Sequence, residues 1–185
     1  MTTASADNQR GLRRRSGSFL VDSSGATAVE FGLVAAPFVA LLVGIIQTFL
    51  VFFAQQLLET VVTQSSRLIL TGQVQAASMT QSQFAQQVCN QVAILFNCSG
   101  LMIDVATPNT FSSADTSTPI LSFSPQGQVT NAWQYNPGAA GQIVVVRVMY
   151  QWPVFGGPLG FSLANLSNGN RLIMASAAFQ NEPVQ

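Results

Sequence analysis

The feature that most constrains this chain is an apolar run near its N-terminus, Phe31 to Ala54, whose only strongly polar member is Gln47. A helix over this run would be about 36 Å long, enough to cross a hydrocarbon core of about 30 Å. Apolar residues occupy every face of such a helix, which is not typical of an amphipathic helix in a soluble protein. The run therefore predicts a transmembrane segment over residues 31–54.

Charge is distributed unevenly about this segment. The chain has seven arginines, seven acidic residues, no lysine and no histidine, and the residues after Gly25 hold three of the arginines and five of the acids. Basic residues that precede a membrane helix stay on its cytoplasmic side. We therefore expect a cytoplasmic N-terminus, insertion in the inner membrane and an exported C-terminal part without a basic surface for nucleic acid. The four basic residues of the leader are Arg10, Arg13, Arg14 and Arg15.

Residues 1–24 are polar, small and basic, without periodicity, and predict a leader that has no fold of its own. A cleaved secretory signal fits less well, because its apolar region spans about 7 to 15 residues and ends at a small-x-small site. The alternative is an uncut signal anchor, which would make the chain a single-pass periplasmic protein of an envelope or secretion complex.

Glu30 is not explained by a simple anchor, because it lies at the very start of the apolar run. One interpretation is a polar flank favoured by the helix dipole near an N-terminus. The other is that an acid at this depth has a dedicated cationic partner.

The spacing of Gly25, Ala26, Glu30 and Phe31 after a basic leader resembles the processing site of type IV prepilins, in the form found in the tight-adherence (Flp) subgroup. The resemblance implies that a prepilin peptidase cuts between Gly25 and Ala26 and removes residues 1–25. It also implies that Glu30, with Phe31 beside it, acts in subunit assembly by neutralising the new α-amino group of a neighbouring copy.

Beyond Ala54 the pattern becomes amphipathic and predicts that the helix continues to about Thr71, where Gly72 ends it. The predicted N-terminal helix thus covers residues 26–72, and Pro37 is expected to kink it. Ser66 and Arg67, followed by Thr71 and Gly72, resemble the matching stretch of TadE-like proteins, the pseudopilins of the same pili. Arg67 has an equal alternative interpretation as part of a solvated helix face.

A second helix is predicted to begin at Thr80, because Thr80 and Gln83 have the spacing of a capping box, and to run to about Phe96. Its apolar face comprises Phe84, Val88, Val92 and Leu95.

The chain has two cysteines, Cys89 within this helix and Cys98 just after it. In an exported domain such a pair suggests a disulfide. The bridge requires the chain to turn back before Cys98, since nine residues of continuous helix would separate the two by about 13 Å. Two unpaired thiols are the alternative, and a metal site lacks further ligands.

Three strands are predicted over residues 101–106, 142–150 and 171–179, with Arg147 marking a solvent face of the second. The connection from Thr107 to Gly141 is long for a compact domain, which leaves open short structure within it or a surface for partners. We therefore predict an exported domain over residues 73–185. The expected fold class is α+β and pilin-like: a long N-terminal helix, a second helix and a small antiparallel sheet of about three strands.

The C-terminal sequence Phe179-Gln180-Asn181-Glu182-Pro183 resembles the Phe-Arg-Asn-Glu-Pro ending of TadE-like proteins. Gln180 stands where arginine is usual, so a charge-dependent role of that position is not expected here. Without the resemblance, the stretch is a strand that Pro183 ends.

Catalytic chemistry is not indicated, because the sequence has no histidine or lysine for general base work and no acidic cluster with metal-ligand spacing. We expect no enzyme activity, cofactor, metal or small-molecule substrate. The resemblance implies a TadE-like pseudopilin, a minor subunit needed to assemble Flp pili for adhesion and biofilm formation. Its implied partners are the prepilin peptidase, other pilin and pseudopilin subunits, inner-membrane Tad assembly proteins and membrane lipid, with a location in the membrane or the pilus.

Overall fold

The computed structural model describes residues 24–157 and 160–183. Most of the predicted leader therefore lies outside the described residues. The described chain falls into two units, one up to Leu41 and one from Leu42 onward, and each is considered by itself.

The first unit consists of the start of a long helix, α1 (Ser24–Leu70), which continues into the second unit and contains Pro37. The helix ends where the sequence predicted. The amide of Gly72 donates to the carbonyl of Ile69 (3.0 Å), and Gly72 itself has a φ of 73°. Only glycine adopts this left-handed conformation without strain, which is why it ends the helix. A short helix that was not predicted, α2 (Gln73–Ala76), follows directly.

The next helix, α3 (Gln81–Val92), begins with the predicted capping box. The hydroxyl of Thr80 accepts from the amide of Gln83, and the side chain of Gln83 accepts from the amide of Thr80. The prediction that this helix reaches Phe96 is wrong by about one turn. The chain leaves the helix after Val92, and a single 3₁₀ turn (Cys98–Gly100) follows, with the Asn97 side chain as its cap.

Three antiparallel strands form one sheet in the order β1-β2-β3: β1 (Leu101–Ala106), β2 (Ile143–Trp152) and β3 (Arg171–Gln180). Leu101 pairs with Tyr150, and Ile143 pairs with Gln180. The α+β class and the small antiparallel sheet are thus confirmed.

One face of the sheet packs against the helices of the second unit. Branched apolar side chains dominate β2, as expected for a buried strand. They share one buried cluster with α3 and with the part of α1 from Val51 to Ile69. The strand residues of this cluster are Ile103, Val105, Val144, Val146, Val148, Ile173 and Ala175.

The connection 107–141 covers the opposite face of the sheet. Leu121 is buried there against Met102, Met149 and Leu172, and Trp133 packs on the same cluster. The connection contains one 3₁₀ turn (Phe111–Ser113) and two isolated bridges, Val105 with Tyr135 and Phe123 with Val129. The prediction left its structure open, and it is a folded cover over the sheet.

Candidate functional site

The predicted processing residues lie in the first turn of α1. Gly25 and Ala26 are both helical and exposed, and a Cβ added at Gly25 would meet no atom within 4 Å. Packing within the described chain therefore does not require a glycine here.

Glu30 and Phe31 follow at the next turn, and both side chains are exposed, Phe31 to 74%. Ala26 and Glu30 are four residues apart on a helix, so they lie on the same side of α1, separated by about 6 Å along its axis. No basic side chain pairs with Glu30 among the residues that the structure describes.

Apolar exposure extends along α1 from this point. Its most apolar stretch of 18 residues has none of its residues buried, and α1 is the one helix of the described chain that is long and apolar enough to cross a membrane. Thr48, one of its few polar residues, donates its hydroxyl to the carbonyl of Gly44 (2.8 Å) within the helix. Large apolar side chains exposed in this way mark a surface that contacts lipid or protein rather than water. They include Val34, Phe38, Leu41, Ile45, Ile46, Phe49, Phe52 and Phe53.

The two cysteines form a disulfide, with a Cα–Cα distance of 5.4 Å. The predicted condition is met, because the chain turns back between Val92 and Cys98. Cys89 is buried on α3, whereas Cys98 lies at the surface. The bridge ties the end of α3 to the start of β1.

An ion-pair network that the sequence analysis missed links the sheet to the connection 107–141. The Nη2 atom of Arg147 lies 2.7 Å from Oδ2 of Asp104, and its Nη1 atom lies 3.3 Å from Oδ2 of Asp115. The other oxygen of Asp104 accepts from the amide of Gln134 (2.8 Å). The guanidinium thus joins both strands to the first half of the connection, and Asp104 joins them to its second half.

The prediction that Arg147 marks a solvent face is wrong. Its side chain is only 15% exposed and that of Asp104 only 5%. The connection covers this face, and the charges tolerate burial because they pair across the two strands, where Asp104 and Arg147 are direct partners. The sequence does place one acid, Asp104, in the first predicted strand and one arginine in the second. Recognising the two as a buried pair requires the strand register.

Asp115 lies at the edge of this network and is exposed. The hydroxyl of Ser117 donates to its Oδ1 atom (2.6 Å), and the amide of Ser117 donates to the same atom (2.9 Å). These two bonds, together with the nearby Arg147, lower the pKa of Asp115 below its ordinary value of 3.8, against the opposing effect of desolvation.

The C-terminal motif, residues 179–183, packs beside the end of α1. The Asn181 side chain is buried and donates to the carbonyls of Pro137 (2.9 Å) and Ala139 (3.1 Å). The next amide, of Glu182, donates to the carbonyl of Leu70 (3.0 Å), one of the carbonyls left unpaired at the end of α1. The motif therefore ties α1 to the 137–142 turn. Gln180 is exposed and donates to the carbonyl of Gly141 (2.8 Å).

A cleft of about 490 Å³ adjoins this motif, between the end of α1 and the 137–142 turn. Glu182 is the one acidic or basic residue among those that line it. Within the described ranges, no group of three or more metal-ligating side chains is present. The cleft therefore lacks the paired groups that acid–base chemistry needs.

Comparison with known proteins agrees with the N-terminal part of this description. Residues 25–67 match the family model described as TadE-like protein. No curated protein and no solved structure matches the chain. The matched segment begins at Gly25, includes Glu30 and the apolar run, and ends at Arg67. Over this segment the chain carries the pattern of the TadE-like family, and the predicted resemblance is confirmed for these residues. The match does not extend to the C-terminal sequence 179–183.

Proposed function

We propose that this chain is a TadE-like pseudopilin, a non-catalytic, membrane-anchored minor subunit that acts in the assembly of Flp pili. The observation that carries the proposal is the family match to residues 25–67, which covers Gly25, Glu30 and an apolar helix surface that the described chain leaves uncovered. Its function would be performed by packing: α1 contacts lipid and neighbouring helices, and the C-terminal domain contacts other pilus proteins.

The orientation of the anchor follows from charge and redox chemistry. The arginines of the leader favour a cytoplasmic N-terminus, which sends the domain after α1 across the membrane. The disulfide between Cys89 and Cys98 fits that side, because disulfides persist in the periplasm and are rare in the cytosol.

Cleavage between Gly25 and Ala26 is supported by the local structure of α1. The space around Gly25 is open, since a Cβ added there would meet no atom within 4 Å. Glycine also offers a protease cleft a backbone without a side chain. Cleavage would leave a positively charged α-amino group on Ala26, directly before the apolar run.

Glu30 supplies the matching negative charge. A charge at the edge of the hydrocarbon region is costly unless it is paired, so an amine and a carboxylate near this level favour each other. If the amine of one copy pairs with Glu30 of its neighbour, the two helices are offset by about 6 Å along their axes. The pair would therefore fix the register in which copies pack.

This role of Glu30 is tested by comparing two variants of the same helix in cells that make the pilus. Glu30→Gln removes the charge at the start of the apolar run, and Glu59→Gln removes an exposed charge beyond its end. We expect Glu30→Gln to be inserted and processed but to support no piliation or surface attachment, whereas Glu59→Gln behaves as the parent chain. Normal piliation by Glu30→Gln would remove the role assigned to this acid.

The alternative is a signal-anchored protein of another envelope complex. It predicts that deletion of the chain leaves piliation intact and that the leader remains attached to the protein found in the membrane.

A further inference from the structure

We propose a second membrane contact in this protein: the connection between β2 and β3 inserts the side chains of Phe155 and Phe161 into the interfacial layer of the bilayer, beside the end of the apolar helix. The inference rests on the membrane anchoring of α1 that is part of the proposed function. It concerns residues outside the segment that matches the family model.

Two hydrogen bonds fix the position of β3 along α1. Nε2 of Gln55 donates to the carbonyl of Met174 (2.8 Å), and the amide of Glu182 donates to the carbonyl of Leu70 (3.0 Å). The helix advances about 22 Å between Gln55 and Leu70, and the strand about 26 Å between Met174 and Glu182. Strand and helix therefore run side by side in the same direction, and β3 begins toward the apolar end of α1.

The start of β3 lies at the level of the last apolar turns of α1. Arg171 precedes Met174 by about 10 Å of strand, equal to about seven residues of helix, which corresponds to the level of Thr48. The end of β2 is there as well, because Trp152 pairs with Arg171. The connection 153–170 leaves from Trp152 and returns to Arg171, so it lies at the membrane end of the domain.

The burial of one side of α1 at this level agrees with the same placement. Val51 and Ala54 on α1 are buried in the core cluster, against which Trp152, Val154 and Leu163 pack. The other sides of the helix remain open at the same level, where the rings of Phe49, Phe52 and Phe53 are exposed. The domain thus covers one side of an apolar segment whose remaining surface is available to lipid.

The chemistry of the connection fits an interfacial layer. Residues 153–170 include no charged side chain. Phe155 is 75% exposed and Phe161 is 45% exposed, which is costly in water and favourable among lipid chains. Trp152 directly precedes the connection and Arg171 directly follows it, and both are residue types that favour the membrane interface.

The fold of the connection holds the two rings in place. The amide of Gly157 donates to the carbonyl of Phe161 (2.7 Å), and a Cβ added at Gly157 would lie only 2.7 Å from that carbonyl oxygen. Only glycine permits this close approach. The hydrogen bond from Gly157 to Phe161 therefore holds the backbone positions that flank the two rings close together.

Lipid is favoured over a protein partner because this surface continues the exposed apolar surface of α1 and offers no charge for recognition. The test uses the full chain in phospholipid vesicles, with a nitroxide spin label at Phe155→Cys or Phe161→Cys and the native disulfide kept oxidised. Labels at Phe38→Cys, in the apolar run, and at Ala140→Cys, at the opposite end of the domain, are the controls. Collision rates with oxygen and with a water-soluble nickel chelate report depth in the bilayer.

We expect the ratio of oxygen to nickel collisions at positions 155 and 161 to be several-fold higher than at position 140 and to approach that at position 38. A ratio equal to that at position 140, with position 38 in lipid, would overturn the second contact while leaving the anchor intact. Labels at 155 and 161 shielded from both reagents would show a protein partner and would also overturn it. A label at position 38 that is exposed to nickel would contradict the anchor itself.

Discussion

The guanidinium of Arg147 lies 2.7 Å from a carboxylate oxygen of Asp104, across two neighbouring strands and beneath the connection 107–141. Removing one partner of such a pair leaves a buried charge without compensation. The pair therefore controls how firmly the connection is held on the sheet.

Arg147→Met should lower the free energy of unfolding by about 3 kcal/mol, because Asp104 would lose its ion-pair partner in a site that water barely reaches. The exposed Arg67 on α1 provides the matched control. Arg67→Met should change stability by less than about 0.5 kcal/mol. Urea unfolding of the full chain in mild detergent, followed by tryptophan fluorescence, measures both, since Trp133 reports on the affected cluster. Equal midpoints for the two variants would contradict the structural role of the pair.

Asp115 makes the same region sensitive to acid. Its folded pKa lies below its ordinary value of 3.8, mainly because the Ser117 hydroxyl and amide donate to the carboxylate. A lowered pKa means that the stabilisation is complete well above pH 3.8 and is lost as the pH falls below 3.8 through the folded value.

The stability difference between the parent chain and Asp115→Asn should thus be constant near neutral pH and shrink below 3.8, which urea midpoints at several pH values would reveal. A difference that grows on acidification would contradict the assignment.

Asn181→Ala should destabilise the domain by about 2 kcal/mol, because this buried side chain would lose its two hydrogen bonds to the carbonyls of Pro137 and Ala139. Gln180→Ala, one residue earlier, removes an exposed hydrogen bond to Gly141 and should cost much less. Thermal unfolding of the full chain in detergent compares the two. A larger effect at Gln180 would show that the C-terminal motif does not act through Asn181.

The disulfide provides a test of topology as well as of stability. Protein isolated from membranes and alkylated without reduction should show neither Cys89 nor Cys98 modified, and both should be modified after reduction. Replacing both by serine should lower stability by about 2 kcal/mol, as expected for a short closed loop. Two freely alkylated thiols in the native protein would place the domain on the reducing side of the membrane.

The features of this fold that follow local rules could be predicted from the sequence. The apolar run, the glycine that ends α1, the capping box at Thr80 and the limits of β1 depend on residues close together in the chain. The end of α3 was placed too late, because apolar periodicity continues to Phe96 although the chain has already turned. The burial of Arg147 was missed because it depends on strand register and on a connection that lacks regular structure.

The candidate site divides in the same way. Gly25, Ala26, Glu30 and Phe31 could be selected because they resemble a prepilin processing site, and the family match includes all four. The role of Asn181 could not, since its partners lie some 40 residues earlier in the chain and are backbone carbonyls, which leave no trace in sequence.

The central claim is that a peptidase converts this chain into an assembly subunit by cutting before Ala26, and the mass of the protein from membranes tests it most directly. Intact mass and N-terminal sequencing are compared with and without the prepilin peptidase, using Gly25→Leu as the control, since added side-chain atoms have open space there. We predict a mature protein that starts at Ala26 only when the peptidase is present, and an uncut Gly25→Leu chain. A start at any other residue, or a working pilus system in which the arginine-rich leader remains attached, would contradict the account.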